Sequence, residues 1–267
     1  MASRILTRPA IRRGSIKEFF GGDPTLKGCW SLDGHARDES GNANHGTVTN
    51  AVPYIGKMGG LSYYFNAASK IEIANSASIQ IAQTNAVTFM GWVEPRQTTN
   101  RWEEIFDKAN GTQNSLRFSL AYNVGWPYQY YFLISKQGVI QINCTSSVYP
   151  VLGQRRLITC IFTGGSSGTN MFIYVDGALS GTASFNQTGC TDCVANLVIG
   201  VMYTSIQYMT GIIDNFGMFK RAVSPAEISQ YYQWATATPR KYWFYSPEVA
   251  AGHIGIWGRP AGHGLIR

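Results

Sequence analysis

The chain has 267 residues, of which 45% are hydrophobic and 13% aromatic, which is ample for one sizeable core. Its formal net charge is +7, and it contains five cysteines, an odd number. No apolar run of the length of a secretory signal, about 7 to 15 residues, follows Arg4. These features argue against a disulfide-built secreted domain. Cys190 and Cys193 form one C-x-x-C, which leaves a loop disulfide and free thiols open.

Residues 1–27 are predicted to form a basic N-terminal arm. They carry six basic residues against Glu18 and Asp23, a net charge of +4. By contrast, residues 28–235 hold 12 residues of each sign and are neutral. We therefore expect the arm to bind a partner through its arginines, which are Arg4, Arg8, Arg12 and Arg13.

The middle of the chain reads as β-strands between tight turns. Residues 171–175 form a β-rich run closed by Asp176-Gly177, a strong hairpin signal, and residues 178–184 form the return strand. No helical period of useful length precedes Glu227. The other strand-like runs are residues 61–65, 71–74, 116–122, 130–135, 139–143 and 157–163. This pattern predicts an all-β fold.

One short helix is predicted after these strands. Ser224 and Glu227 form a capping box, and Pro225 stands at the first helical position. The residues that follow have a helical period, which brings three apolar or aromatic side chains to one helix face: Ile228, Tyr231 and Tyr232. The chain should therefore close on a C-terminal helix.

Residues 236–267 are predicted to form a second arm, which is basic and rich in aromatic residues. Their net charge is +3, and a segment of this kind cannot build its own core although exposed aromatics are costly in water. We expect it to lie on a partner surface, and a tail folded back on its own sandwich is the alternative. The residues expected to contact the partner are Arg240, Lys241, Tyr242, Trp243, Phe244 and Trp257.

Three segments carry a resemblance to a known family. Residues 174–177, YVDG, precede residues 211–228, GIIDNFGMFKRAVSPAEI. Upstream, residues 29–33 and the D-x-S-G-N turn of residues 38–46 precede the strand of residues 87–93. This order resembles the laminin-G-like domains of the concanavalin A-like jelly-roll superfamily.

The resemblance covers residues 28–235 and implies a single jelly-roll β-sandwich. The domains expected are therefore the arm of residues 1–27, a laminin-G-like sandwich over residues 28–235, and the arm of residues 236–267. The superfamily includes lectins, glycosidases, adhesion modules and virion parts, so the resemblance alone does not choose among these functions.

The sequence favours a protein without enzymatic activity. Glycosidases use two carboxylates on either side of the scissile bond, and the nearest candidates are Glu104 and Asp107 in WEEIFDK. Their spacing places them on opposite faces of a regular strand. The four histidines occupy turns or the C-terminal arm, and no Ser-His-Asp arrangement is recognisable.

A calcium site is implied by the resemblance. In that family the acidic turn near the start and an acidic residue of the last strand often lie close together, and calcium prefers oxygen ligands. The residues that correspond are Asp38, Asn42 and Asp214. The alternative is that Asp38 and Asn42 hold an Asx-type turn and that Asp214 bonds backbone amides.

A glycan site is the other candidate, at the aromatic turn of residues 123–131. Trp126, Tyr128 and Tyr130 lie close together there, and aromatic faces stack well on sugar rings. The alternative is that Tyr131 and Phe132 begin an inward-facing strand and Trp126 packs on a loop. Nucleic acid is not expected as a partner, because the arms hold only ten basic residues and no nucleic-acid module.

A neutral sandwich with two basic arms resembles the layout of phage virion proteins. We predict a non-enzymatic structural virion protein, a capsid decoration or cementing subunit made in the host cytoplasm without a signal peptide. Its partners would be capsid or other virion proteins and further copies of itself, for example in a trimer. The alternatives are a carbohydrate-binding adhesin of a phage fibre or cell surface, and an unusual hydrolase. No membrane partner is expected.

Overall fold

Two antiparallel sheets form the sandwich, so the predicted all-β class is confirmed. The computed structural model describes residues 14–56, 60–66, 68–97, 102–109, 111–123, 129–202 and 207–237. Within these ranges, no helix is long and apolar enough to span a bilayer.

The described residues contain fifteen strands. Eight form the first sheet: β1 (Leu26–Trp30), β3 (Val52–Ile55), β4 (Leu61–Phe65), β6 (Val87–Pro95), β11 (Arg156–Phe162), β12 (Met171–Val175), β13 (Ala178–Ala183) and β15 (Gly211–Phe219). Their order is β13-β12-β11-β6-β15-β4-β3, and β1 also pairs with β15.

Seven strands form the second sheet: β2 (Gly46–Thr49), β5 (Lys70–Ile73), β7 (Trp102–Lys108), β8 (Leu116–Asn123), β9 (Gln129–Lys136), β10 (Ile140–Thr145) and β14 (Leu197–Ile199). Their order is β10-β9-β8-β7-β14-β5-β2. The strands β7 to β10 follow one another in sequence, whereas β14, β5 and β2 join them from distant parts of the chain, because the chain crosses between the sheets.

The predicted hairpin joins β12 and β13. Asp176 and Gly177 have φ angles of 52° and 85°, and positive φ at both central residues is the type I′ geometry that suits a tight hairpin. A side chain at Gly177 would come within 3.1 Å of Cβ of Tyr232. Glycine is therefore required there for the backbone conformation and for the close approach of the C-terminal helix.

The main core lies between the sheets and is built around aromatic rings. Phe89 of β6 lies 4.4 Å from Phe106 of β7, between ring centroids, and Phe106 lies 5.4 Å from Phe216 of β15. All three side chains are buried. These contacts join one sheet to the other and hold the two layers together.

The C-terminal helix α2 (Pro225–Ala237) forms where the capping box predicts it. The Ser224 hydroxyl accepts from the backbone N–H of Glu227 at 3.3 Å, and the Glu227 carboxylate accepts from the Ser224 N–H at 2.8 Å. Ile228, Tyr231 and Ala235 are buried by the helix. The prediction of one apolar helix face is confirmed for Ile228 and Tyr231, whereas Tyr232 is half-buried.

A second helix, α1 (Ile16–Phe20), corrects the predicted N-terminal arm. The Ser15 hydroxyl caps it by accepting from the Glu18 N–H at 3.0 Å, and Ile16 and Phe20 are buried. Residues 14–27 therefore belong to the folded unit rather than to an arm, because their apolar side chains find a core to enter. Sequence periodicity cannot detect a helix of five residues.

The two helices cover the outer face of the first sheet and form a second apolar core there. Met90, Trp92, Leu157 and Ile161 contribute from β6 and β11, alternating with residues that face the main core. Tyr231 of α2 links the layers: its hydroxyl accepts from Trp92 Nε1 at 3.1 Å and donates to the backbone carbonyl of Gly14 at 3.0 Å. Under these helices the first sheet is thus apolar on both of its faces, and beyond them Glu94 on the outer face binds Arg155.

The remaining parts of the predicted arms fall on residues 1–13 and 238–267, which lie outside the described residues. The same holds for every residue predicted to contact the partner: Arg4, Arg8, Arg12, Arg13, Arg240, Lys241, Tyr242, Trp243, Phe244 and Trp257. All five cysteines are described, and all five are free thiols.

Candidate functional site

The outer face of the second sheet is polar, unlike the helix-covered part of the first. Outward positions of β7 to β10 are neighbours across the strands, so that Asp107 pairs with Ser119, Ser119 with Leu133, and Leu133 with Asn143. We call this surface the polar face and define it by Trp102, Glu104, Asp107, Arg117, Ser119, Tyr131, Ser135, Gln141 and Asn143. Gln141 and Asn143 are exposed, and Arg117 retains 11% of its side-chain accessibility.

A β-bulge in β7 brings Glu104 and Asp107 to this face together. Glu104 pairs with Ala121 and Phe106 with Leu120, so the register shifts between Glu104 and Phe106. The extra residue reverses the strand's alternation at this point. The sequence-based inference that Glu104 and Asp107 point to opposite faces is therefore wrong, since it assumed a regular strand.

Arg117 of β8 binds both carboxylates. Its Nε and Nη2 atoms donate to the two oxygens of Asp107 at 3.0 and 3.2 Å, a bidentate pairing. Nη2 also donates to Oε1 of Glu104 at 3.2 Å. Because one guanidinium holds both acids, the three side chains have fixed positions on the polar face.

The pKa of Glu104 is raised to about 8. Burial is the main cause, and the neighbouring Asp107 carboxylate adds to it, while Arg117 acts in the opposite direction. At neutral pH Glu104 is therefore mostly protonated and can donate a hydrogen bond. With Glu104 neutral, the ion pair of Asp107 and Arg117 leaves the centre of the polar face without net charge.

An aromatic pair borders this group of charges. The rings of Trp102 and Tyr131 lie 4.2 Å apart between centroids, tilted by 56°. Trp102 is half-buried, and Tyr131 is buried. Residue 102 begins the strand that carries Glu104 and Asp107, so aromatic surface and hydrogen-bonding groups lie on the same face.

The three residues predicted to bind a glycan are not seen together at one turn. Trp126 and Tyr128 lie outside the described residues. Tyr130 is fully buried in the main core, where its ring lies 6.3 Å from that of Tyr122. A glycan contact through Tyr130 is therefore wrong, because the alternation of β9 turns Tyr130 inward and Tyr131 outward. The alternative, an inward-facing strand that begins with Tyr131 and Phe132, holds for Phe132 but not for Tyr131.

Asp38, one of the predicted calcium ligands, accepts hydrogen bonds from neighbouring groups of the protein with both carboxylate oxygens. Its Oδ1 accepts from the N–H groups of Cys29 and Ser40, each at 2.9 Å. Its Oδ2 accepts from the Ser40 hydroxyl at 2.8 Å and the Asn44 N–H at 2.9 Å. Asp38 thus holds the turn after β1, as the alternative reading predicted.

The other two predicted ligands have separate partners. The Asn42 amide donates to the Leu26 carbonyl at 3.3 Å. Asp214 accepts from Arg155 Nη1 at 2.9 Å and from the Asn215 amide at 3.1 Å. Within the described ranges, no three His, Cys, Asp or Glu side chains are grouped so that they could hold a metal ion. The structure therefore gives the predicted calcium site no support.

The polar face can orient a hydroxyl-rich ligand. At its surface it offers the half-buried Trp102 and the exposed amides of Gln141 and Asn143, whereas Glu104 and Asp107, which hold Arg117 in place, are buried. Sequence reasoning missed Arg117 and Trp102 as parts of one site. The signal for Arg117 was weak, since only pairing of β7 with β8 brings it to the two acids, 13 and 10 residues away in sequence.

Solved structures resemble this fold at low sequence identity. Domain 4 of AbnA, a GH43 extracellular arabinanase from Geobacillus stearothermophilus, was solved in complex with arabinotriose. It matches with a TM-score of 0.62 and 19% identity over 78% of this chain and 98% of that chain. At this identity the likeness shows the fold alone.

Two toxin domains match with similar scores. The binding domain of Paraclostridial Mosquitocidal Protein 1 gives a TM-score of 0.65 at 14% identity, over 78% of this chain and 52% of that chain. The binding domain of botulinum neurotoxin serotype G gives 0.59 at 12% identity, over 78% and 50%. This chain therefore spans about half the length of either toxin domain.

A search of curated protein sequences finds no match to this chain. A family profile, however, matches residues 65–229, which is more than half of the chain. The matched range runs from the end of β4 into α2 and includes the whole polar face. The chain belongs to the Laminin_G_3 family of the concanavalin A-like lectin/glucanases superfamily.

Proposed function

We propose that this chain is a non-enzymatic carbohydrate-binding module that holds glycans on its polar face. The observation that carries the proposal is the Trp102–Tyr131 pair beside Glu104, Asp107 and Arg117. Sugar rings present apolar C–H faces and polar edges, so they bind where aromatic rings lie next to fixed hydrogen-bonding groups. The polar face combines the two.

The charge of the polar face favours neutral sugars. Glu104 is mostly protonated at neutral pH, and Asp107 and Arg117 neutralise each other. The Asp107 carboxylate would repel an acidic sugar. Arg117, the cation of these three groups, is already paired with Asp107 and does not compensate that repulsion. Hydroxyl groups, which donate and accept, match the exposed amides of Gln141 and Asn143, whereas the Glu104 carboxyl is buried.

The relatives in fold support a binding role. Domain 4 of AbnA was solved with arabinotriose, and the two toxin structures are binding domains by name. At identities below 20% these comparisons show only that the folds are similar. The proposal therefore rests on the polar face itself. They favour the adhesin alternative of the sequence analysis over a capsid role.

The state of the two acids supports binding rather than catalysis. A retaining glycosidase needs one carboxylate free to attack, and an inverting one needs a carboxylate that activates water. Both oxygens of Asp107 accept hydrogen bonds from Arg117, Glu104 is mostly protonated at neutral pH, and both side chains are buried. A sugar ring on the surface of the polar face would not reach either acid. Incubation with a polysaccharide panel should therefore release no reducing sugar.

A glycan array probed with the full chain tests the proposal. We expect reproducible binding to neutral glycans that weakens at least tenfold in Trp102→Ala. The matched control is Tyr54→Ala, which removes another solvent-accessible aromatic, 43% exposed, from β3 of the first sheet. Absence of binding to every glycan, or equal loss in both variants, would contradict the proposal. Melting temperatures of both variants separate lost binding from lost folding.

Virion decoration is a second candidate, favoured by the location of the charge. Residues 1–13 carry +4 and residues 238–267 carry +3, together the whole +7 of the chain. Such segments would suit an acidic capsid face, to which they would steer the protein. This role would place the protein in the virion, with capsid proteins and further copies of itself as partners. Incorporation into particles should be lost on deletion of residues 1–13 or 238–267, and normal incorporation of both truncations would contradict this role.

A further inference from the structure

The groups that a ligand can reach on the polar face lie in two separate places. On β7, the half-buried Trp102 packs against Tyr131, with 4.2 Å between ring centroids. On β10, which is an edge strand of the second sheet, Gln141 and Asn143 are exposed. The Gln141 amide donates to the side-chain oxygen of Asn143 at 3.3 Å. An aromatic surface therefore borders one side of the face, and a pair of linked amides borders the other.

The two strands between these places carry mostly small side chains. Ser119 and Ala121 of β8 lie opposite Leu133 and Tyr131 of β9. Ser119, Ala121, Leu133 and Ser135 are all buried, and we call these four the floor of the polar face. No residue of the floor is charged. A ligand that crosses the floor therefore meets a low, uncharged surface between Trp102 and the amides.

The strand register gives the distance between the two sides. Asn143 lies opposite Leu133, and Leu133 lies opposite Ser119. Trp102 lies opposite Asn123, which follows Ser119 by four residues on β8. Trp102 and Asn143 are therefore three strands apart across the sheet and four residues apart along it. With about 4.8 Å between strands and about 3.4 Å per residue, their backbones are about 20 Å apart.

The Trp102 ring shortens this gap by leaning towards Tyr131. Tyr131 lies opposite Thr145, which follows Asn143 by two residues on β10. One strand spacing and two residues place the backbones of Tyr131 and Asn143 about 8 Å apart, so the gap between the Trp102 ring and the amides is on the order of 10–15 Å. A single sugar ring is about as long as one strand spacing, about 4.8 Å. One ring therefore cannot contact both sides of the face.

We propose that the polar face binds a linear neutral oligosaccharide along its length, with about three linked sugar residues between Trp102 and the amides of Gln141 and Asn143. One ring packs on Trp102, the next lies over the floor, and a third forms hydrogen bonds with the amides. This inference rests on the proposed function and narrows it, from neutral glycans in general to chains held side-on.

Recognition of a single terminal sugar fits the geometry less well. A lone ring at Trp102 would not reach the amides, and a lone ring at the amides would not reach Trp102. Association costs translational and rotational freedom once, so each further sugar that makes a contact adds to the affinity. Affinity should therefore rise with chain length until the chain covers both sides, and it should then level off.

Titration calorimetry of the full chain with oligosaccharides of increasing length tests this inference. The probes are cello-, xylo-, malto- and arabino-oligosaccharides of one to six sugar residues. In a series that binds, we expect Kd to fall at least tenfold from the disaccharide to the tetrasaccharide. From the tetrasaccharide to the hexasaccharide it should change less than threefold.

The decisive variant is Gln141→Ala with Asn143→Ala, which removes the far side of the site. The difference in Kd between disaccharide and tetrasaccharide should then shrink from at least tenfold to less than threefold. The matched control is Thr47→Ala with Thr49→Ala, at exposed positions of β2 on the opposite edge of the same sheet. This control should keep the tenfold difference. Should the double β10 variant melt earlier than the wild type, the single substitutions Gln141→Ala and Asn143→Ala decide the question.

The outcomes separate this inference from the proposed function. A monosaccharide that binds as tightly as the tetrasaccharide of its series would overturn the inference and leave glycan binding intact. The same holds if the β10 variant and the β2 control keep the same dependence on length. Absence of binding in every series, together with a glycan array that shows none, would overturn the proposed function and this inference with it.

Discussion

The two outer faces of this sandwich differ in how they are completed. On the first sheet, Trp92 and Leu157 enter an apolar core under α1 and α2. On the second sheet, the corresponding outward positions are occupied by Glu104, Asp107 and Arg117, which satisfy one another. One face gains stability by burying apolar surface beneath helices, whereas the other keeps polar groups in fixed positions. The two outer faces of one sandwich are therefore completed in different ways, by packed helices on one side and by a network of charged side chains on the other.

The largest expected effect tests the helix-covered face. Tyr231→Ala removes a fully buried ring that contacts Phe19 and Phe20, and the free energy of unfolding should fall by about 3–5 kcal/mol. Tyr231→Phe keeps the ring but leaves Trp92 Nε1 without this acceptor, which should cost about 1–3 kcal/mol. Urea denaturation followed by tryptophan fluorescence measures both. A loss below about 1 kcal/mol in Tyr231→Ala would show that this face is not a core.

Removal of the cation from the polar face is expected to have the next largest effect. Arg117→Met leaves Asp107 and Glu104 buried without the guanidinium, so stability should fall by about 3 kcal/mol at pH 9. At pH 5 the loss should be smaller, because protonation of Glu104 relieves the repulsion. Denaturation at both pH values measures the difference. Arg37→Met, at an exposed position, is the control and should change little; equal losses at the two pH values would contradict the electrostatic account.

A smaller effect, with a definite dependence on pH, is expected for Glu104→Gln. The pKa of Glu104 is about 8 in the fold against an ordinary value of 4.5. Its contribution to stability is therefore fully present below about pH 4.5 and is lost as the pH rises through 8. Glutamine cannot ionise, so Glu104→Gln should not lose stability as the pH rises. The variant should therefore be about 1–2 kcal/mol more stable than the wild type at pH 9. Parallel stability curves for the two proteins from pH 5 to 9 would contradict the raised pKa.

The smallest effect is expected at the cap of α2. The hydrogen bond from Arg221 lowers the pKa of Glu227 to about 2 from its ordinary 4.5. This contribution is present above pH 4.5 and is lost as the pH falls toward 2. The Glu227 side chain is 35% exposed, so solvent screening keeps the cost of Glu227→Gln below about 1 kcal/mol. Thermal melting should show a larger difference from the wild type at pH 7 than at pH 3.

Local signals were sufficient for most of the fold. The Asp176-Gly177 hairpin and the capping box at Ser224 depend on a few neighbouring residues, so they can be read without the tertiary structure. The strand runs and the charge balance likewise predicted an all-β unit with basic segments at its ends. In contrast, α1 is too short for a periodic signal and forms because Ile16 and Phe20 enter a core under α2.

The candidate site depended on contacts between strands. A bulge of one residue in β7 brings Glu104 and Asp107 to one face, and the regular alternation of β9 turns Tyr130 inward and Tyr131 outward. Since side chains alternate with a period of two, an error of one position changes the face completely. Sequence therefore specified which residues form strands, and only strand pairing specified which of them share a surface.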